Sequence, residues 1–144
     1  MKGFENMFGI VLISHGGFAE GLLEAAGMVF GNASEQTTAL GLRKEEEPEE
    51  FGWRIGEAIR QVDTGEGVVI LADLLGGTPC NQAAQYAGSA VSIVTGVNRV
   101  MFLDILGTRE SGAAFDAVSA LGAAHSGIAD YNAILKEEEA EDVL

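Results

Sequence analysis

Residues 8–17 read Phe8-Gly9-Ile10-Val11-Leu12-Ile13-Ser14-His15-Gly16-Gly17. An unbroken apolar run that ends in polar residues and glycines is the pattern of a short strand buried on both faces. Residues 68–72 (VVILA) and 90–95 (AVSIVT) repeat it. Residues 37–42 (TTALGL) are more polar, which suits an edge strand.

Helical spacing fills the gaps between these runs. Ala19, Leu22, Leu23, Ala26 and Phe30 fall on one helix face, as do Phe51, Ile55, Ile59 and Val62, with Pro48 near the helix start. Pro79 opens a short helix through Ala83, Ala84 and Ala87. Residues 100–106 (VMFLDIL) are apolar almost all round, so this helix is expected to be buried on more than one side. Residues 112–121 read as a small-residue helix and 128–131 as a last short strand, followed by an acidic end expected to fray. Alternation of strands and helices predicts an α/β fold: a doubly wound, mostly parallel open sheet with helices on both faces. Ligands of such sheets bind beyond the carboxyl ends of the strands, near the point where strand order reverses.

Three loops then meet at that edge. They carry Ser14-His15-Gly16-Gly17, the stretch from Asp73 through Gly76-Gly77-Thr78-Pro79-Cys80-Asn81, and Thr95-Gly96-Val97-Asn98. His15 follows a buried strand and precedes two glycines, which favours chemistry over a capping role. His125 lies among small residues and reads as structural. Asp73 is the carboxylate best placed to hold one nitrogen of His15, fixing the tautomer and aiming the other nitrogen. Gly76, Gly77 and Thr78, ahead of a helix started by Pro79, resemble an anion cradle.

Other chemistries fit less well. A strand ending in His-Gly-Gly is also the form of the oxyanion loop of some α/β-hydrolases, but there is no G-x-S-x-G elbow. Cys80 beside His15 would suit thiol catalysis, yet among small residues at a helix start it reads as structural. No His, Cys and carboxylate set has zinc spacing, and neither the dinucleotide fingerprint nor the P-loop is present.

Composition narrows the partners. The 144 residues suffice for one domain, with 47% hydrophobic residues to build its core. Twenty glycines are about twice the usual share and suit tight strand-to-helix turns. Eight basic against 22 acidic residues give a formal charge of −14, a poor match for nucleic acid or an anionic membrane. Glu45, Glu46, Glu47, Glu49 and Glu50 form one acidic run; Glu137, Glu138, Glu139, Glu141 and Asp142 form another. Both read as solvated surface, with docking of a basic protein as the sharper alternative. A single cysteine excludes an internal disulfide and fits a reducing compartment. No apolar stretch reaches membrane-spanning length and the start does not read as a signal peptide, so a cytoplasmic location is expected. Residues 1–6 carry no pattern, which leaves Met7 as a candidate functional start.

Read together, three motifs resemble a known family. Residues 9–16 (GIVLISHG) with Ala19, Gly21, Leu22, Leu23 and Ala25, then residues 73–81 (DLLGGTPCN), then residues 95–98 (TGVN) with Met101, are similar to the IIA component of the mannose family of the bacterial sugar phosphotransferase system. The match runs from about Met7 to Tyr131. The resemblance implies a domain over residues 7–135 with an acidic tail over 136–144. It implies a phosphocarrier in which His15 accepts a phosphoryl group from the histidine phosphocarrier HPr and passes it to a cognate IIB domain, with membrane IIC and IID components downstream. Asp73 would hold the imidazole, and Gly16, Gly77 and Thr78 would receive phosphate oxygens. No metal and no cofactor are implied, and a homodimer through exchange of the last strand is. Asn98 and Arg99 are candidate contacts to phosphate or partner. Arg99-Val100 departs from the family pattern of an apolar residue followed by proline, and a cation at a helix start calls for an anion. The alternative function is a regulatory phosphoacceptor module; the lack of DNA-binding or ATPase segments in these residues favours transport.

Overall fold

The computed structural model of the chain describes residues 7–143. Residues 1–6, and with them the question of Met7 as a start, lie outside the described residues. The element order is β1 (Gly9–His15), α1 (Phe18–Gly27), β2 (Thr37–Leu42), α2 (Pro48–Val62), β3 (Val68–Ala72), α3 (Gly77–Ala83), β4 (Val91–Val94), α4 (Arg99–Glu110), α5 (Ala117–Ser126) and α6 (Tyr131–Val143).

The four strands form one all-parallel sheet in the order β2-β1-β3-β4. The chain leaves β1 toward β2, then returns past β1 to β3 and β4. Strand order therefore reverses between β1 and β3, and the doubly wound architecture follows. β1 and β3 are central, which explains their continuous apolar runs; β2 is an edge and only half-buried.

Alternate residues of the central strands feed two cores. Ile10, Leu12, Val69 and Leu71 pack with α1, α4 and α5 on one face. Val11, Ile13, Val68, Ile70 and Ala72 pack with α2 and Ala83 of α3 on the other. Pro48 stands at the start of α2 with Glu49 and Glu50 in its first turn, where the positive helix end favours them. Glu46 departs from the solvated reading of its run. Its side chain is 3% exposed, pairs with Arg54 at 2.9 Å and accepts the Arg43 N–H, closing the loop between β2 and α2.

Three sequence expectations are corrected. Helix α4 buries Met101, Phe102, Ile105, Leu106 and Arg109 as one stripe, while Val100 is open, so it is buried on one side and not on more than one. The next helix starts at Ala117 and not at 112, because Asp116 accepts hydrogen bonds from Val118 N and Ser119 N as its cap. No strand forms over residues 128–131. Asp130 caps α6 instead, its side chain accepting from Ala133 N and its carbonyl from Ile134 N. The acidic tail is helical as far as Val143. No helix among the described residues is long and apolar enough to cross a membrane.

Candidate functional site

His15 is the last residue of β1, and Asp73 is the first residue after β3. The reversal of strand order sets their strands side by side. Asp73 Oδ2 lies 3.0 Å from the backbone N of His15 and 3.0 Å from its Nδ1. One carboxylate oxygen thus fixes both the backbone and the ring. Asp73 Oδ1 accepts from Leu74 N at 2.9 Å. Burial pushes the Asp73 carboxyl upward, but its hydrogen bonds from the His15 backbone and ring, the charge of His15 and the Leu74 N–H outweigh burial and hold it below the usual carboxylate range. An ionised carboxylate only accepts, so Nδ1 carries a proton, and in the neutral ring the lone pair then falls on Nε2. The side chain of His15 is 48% exposed, that of Asp73 14%. The ring is open to an approaching group while its holder is sheltered.

The floor under the ring needs small residues. Gly77 has φ +79°, and a Cβ there would lie 3.2 Å from His15 Cε1 and 3.6 Å from Nε2. Thr78 follows in the first turn of α3, half-buried on the same side of the sheet end. Gly16 N donates to Leu42 O at 3.0 Å, which lays the turn after β1 against the end of β2.

Two supporting residues escape a reading of the sequence alone. Ser14 is fully buried; its Oγ accepts from Ala19 N at 2.8 Å and so caps α1 across the turn. A serine closing an apolar strand just before a candidate histidine was the available signal. Gly41 gave none, because its role depends on the β1–β2 register. A Cβ at Gly41 would overlap Gly16 O. Gly41→Val should therefore displace the turn that carries His15 and cost about 1–3 kcal/mol of stability. Urea denaturation and the ring signals of His15 in proton NMR check this; a variant unchanged in both would mean the turn adapts freely.

Asn98 and Arg99 have partners inside the chain. Asn98 caps α4, accepting from Met101 N at 2.8 Å, and donates to Ala124 O at 3.0 Å. Arg99 Nη2 donates to Ala25 O at 3.3 Å, in the last turn of α1. The anionic partner that a cation at a helix start calls for is thus supplied by the negative end of another helix. His125 stands in the last turn of α5, next to the Ala124 whose carbonyl accepts from Asn98. Among the described residues no group of His, Cys, Asp and Glu could hold a metal.

Residues 9–121 match the family model described as "PTS system fructose IIA component". The chain belongs to this family. It is 29% identical over 106 residues, 72% of each chain, to the PTS system fructose-specific EIIA component of Bacillus subtilis (strain 168). It is 31% identical over 114 residues to the PTS system mannose-specific EIIAB component of Escherichia coli (strain K12), covering 78% of this chain and 35% of that longer one. The crystal structure of the PTS IIA protein associated with the fucose utilization operon from Streptococcus pneumoniae superposes with a TM-score of 0.81 at 27% identity, covering 90% of this chain and 96% of that one. The chain is thus a IIA-type component of the sugar phosphotransferase system, with the α/β fold of such proteins.

Proposed function

We propose that the chain is a cytoplasmic phosphocarrier whose His15 takes a phosphoryl group from phospho-HPr and hands it to a IIB domain during sugar uptake. The observation that carries this reading is the Asp73–His15 pair at the reversal of strand order, with Nε2 free to react.

The chemistry follows from the tautomer. The Nε2 lone pair attacks phosphorus as the donor's P–N bond breaks, and that electron pair stays on the donor nitrogen. Nδ1 keeps its proton throughout, held by Asp73, so no base is needed. The imidazole gains charge as the bond forms, and the adjacent carboxylate stabilises it. Positioning and charge do most of the work in such transfers. Gly16, Gly77 and Thr78 are the groups proposed to receive the phosphate oxygens, since Gly77 lies against the Cε1–Nε2 edge of the ring, with Thr78 next to it in the chain and Gly16 next to His15. Return of the group to IIB is the same reaction reversed, with membrane IIC and IID components acting later on the sugar.

Incubation with phosphoenolpyruvate, enzyme I and HPr should transfer one acid-labile phosphate to the chain, and added IIB should remove it. A chain that takes no label would end the proposal.

The reading includes a homodimer. Among the described residues one edge of β4 pairs with no strand, and Ile128, Tyr131, Ile134 and Leu135 are exposed on the segment that follows α5. The segment expected to exchange, residues 128–131, forms no strand within the single chain. Light scattering should give about twice 15.0 kDa; a clean monomer at micromolar concentration would remove this part.

A further inference from the structure

The end of the sheet opposite His15 holds a polar feature that phosphoryl transfer leaves unused. A cavity of about 300 Å³ lies where β3 and β4 begin and the loop after α4 passes over them. Glu66, Ser89, Ser92, Arg109 and Phe115 are among its walls.

Arg109 is 3% exposed and is the one charged residue buried as a whole, backbone and side chain together, among the described residues. It stands in the last turn of α4, where the negative helix end favours a cation. Its Nη1 donates to Gln36 O at 3.1 Å and its Nη2 to Glu35 O at 2.8 Å. Both acceptors are neutral carbonyls. A guanidinium carries five N–H groups, so three have no protein acceptor among the described residues. Neighbouring carboxylates do not close the gap. Glu110 accepts from Asn32 Nδ2 at 2.7 Å, and neither it, Glu35 nor Glu66 comes within ion-pair distance of Arg109. Burial lowers the pKa of Arg109 to about 10, with Glu110 and Glu35 acting in the opposite direction.

Two carbonyl bonds would be enough if Arg109 only tied α4 to the turn before β2. Such a tie needs no cavity, and Nε, which has no acceptor among the described residues, is not closed off from solvent. A buried cation is normally paired with an anion.

We propose that the cavity binds a small organic anion, with Arg109 taking its oxyanion group and the Ser89 and Ser92 hydroxyls its remaining oxygens. The planar fork of a guanidinium matches a carboxylate or a phosphate by paired hydrogen bonds. The volume equals roughly ten water molecules at about 30 Å³ each, room for a compound of a few carbons. Glu66 on the same wall repels a dianion more than a monoanion, so a carboxylate binds more tightly than a phosphate. The site is independent of His15 chemistry, and either can fail without the other.

The test follows amide signals of the ¹⁵N-labelled full chain during titration with acetate and, separately, inorganic phosphate, at ionic strength held constant with sodium chloride. Saturable shifts at Gly67, Ala90, Gly112 and Phe115, tighter for acetate, support the site. Ser92→Asp places a carboxylate on the cavity wall; it should abolish those shifts and raise the melting temperature. Arg109→Lys keeps the charge but loses the fork, and should weaken acetate about tenfold. If the lysine variant does not fold, Ser92→Asp decides alone. Shifts confined to Gly16, Gly77 and Thr78, no saturation at the cavity with either probe, or full acetate binding by Ser92→Asp would each overturn the proposal.

Discussion

His15→Ala is expected to stay folded and to take no phosphoryl group. The ring is half-exposed and makes one side-chain hydrogen bond, to Asp73, so its loss changes stability by about 0.5 kcal/mol or less if Asp73 is rehydrated. Transfer, in contrast, loses its nucleophile. No second group stands in: Ser14 is buried and committed to Ala19 N, and His125 lies in another helix. Labelling by phospho-HPr should fall to background, a loss of at least about a thousandfold. Acid-labile label at the normal rate on the alanine variant would move the acceptor elsewhere.

Asp73→Asn should slow transfer by about a hundredfold or more while the fold survives. The amide still reaches the ring but can present its NH₂ to Nδ1. That would leave Nδ1 as the acceptor and put the proton on Nε2, the nitrogen that must attack. Quench-flow labelling measures the rate. A second readout comes from acid. The native carboxyl titrates below its ordinary value of 3.8, so the stability it contributes is complete above that pH and is lost as the pH falls through the lower native value. Asparagine has no such term. Urea denaturation at pH 6 and pH 3 should therefore show the variant losing less stability than the parent over that interval. An unchanged transfer rate would take Asp73 out of the mechanism; equal acid losses would mean that its carboxyl is not favoured in its charged form.

Much of this site is legible in the sequence because burial and chemistry leave separate marks there. The runs at β1 and β3 are apolar without alternation, since both faces are covered, and His15 and Asp73 follow them directly. Strand order places the two together, and alternation of strands with helices predicts an order of that kind. The support is less visible. Gly41 matters only because β2 lies beside β1 in a register that sets it under Gly16. Caps account for the helix errors. Asp116 and Asp130 each start a helix, and without weighing them the small-residue stretch at 112–121 and the apolar residues at 128–131 suggest other elements. Arg99 adjoins the start of α4 in sequence, whereas its side chain spans to the last turn of α1, a neighbour that only the fold supplies.

His15 and Asp73 stand 58 positions apart, and two complete strands and two helices are threaded between them. The proposed chemistry needs both residues, and parallel neighbours cannot meet through a tight hairpin. The site must therefore be among the late products of folding, completed only when the longest loop closures of the central sheet are in place. A nascent or partly unfolded chain carries the same histidine but no carboxylate to set its tautomer. It would accept phosphate slowly, drain little from the donor pool, and so leave flux to chains that have finished folding.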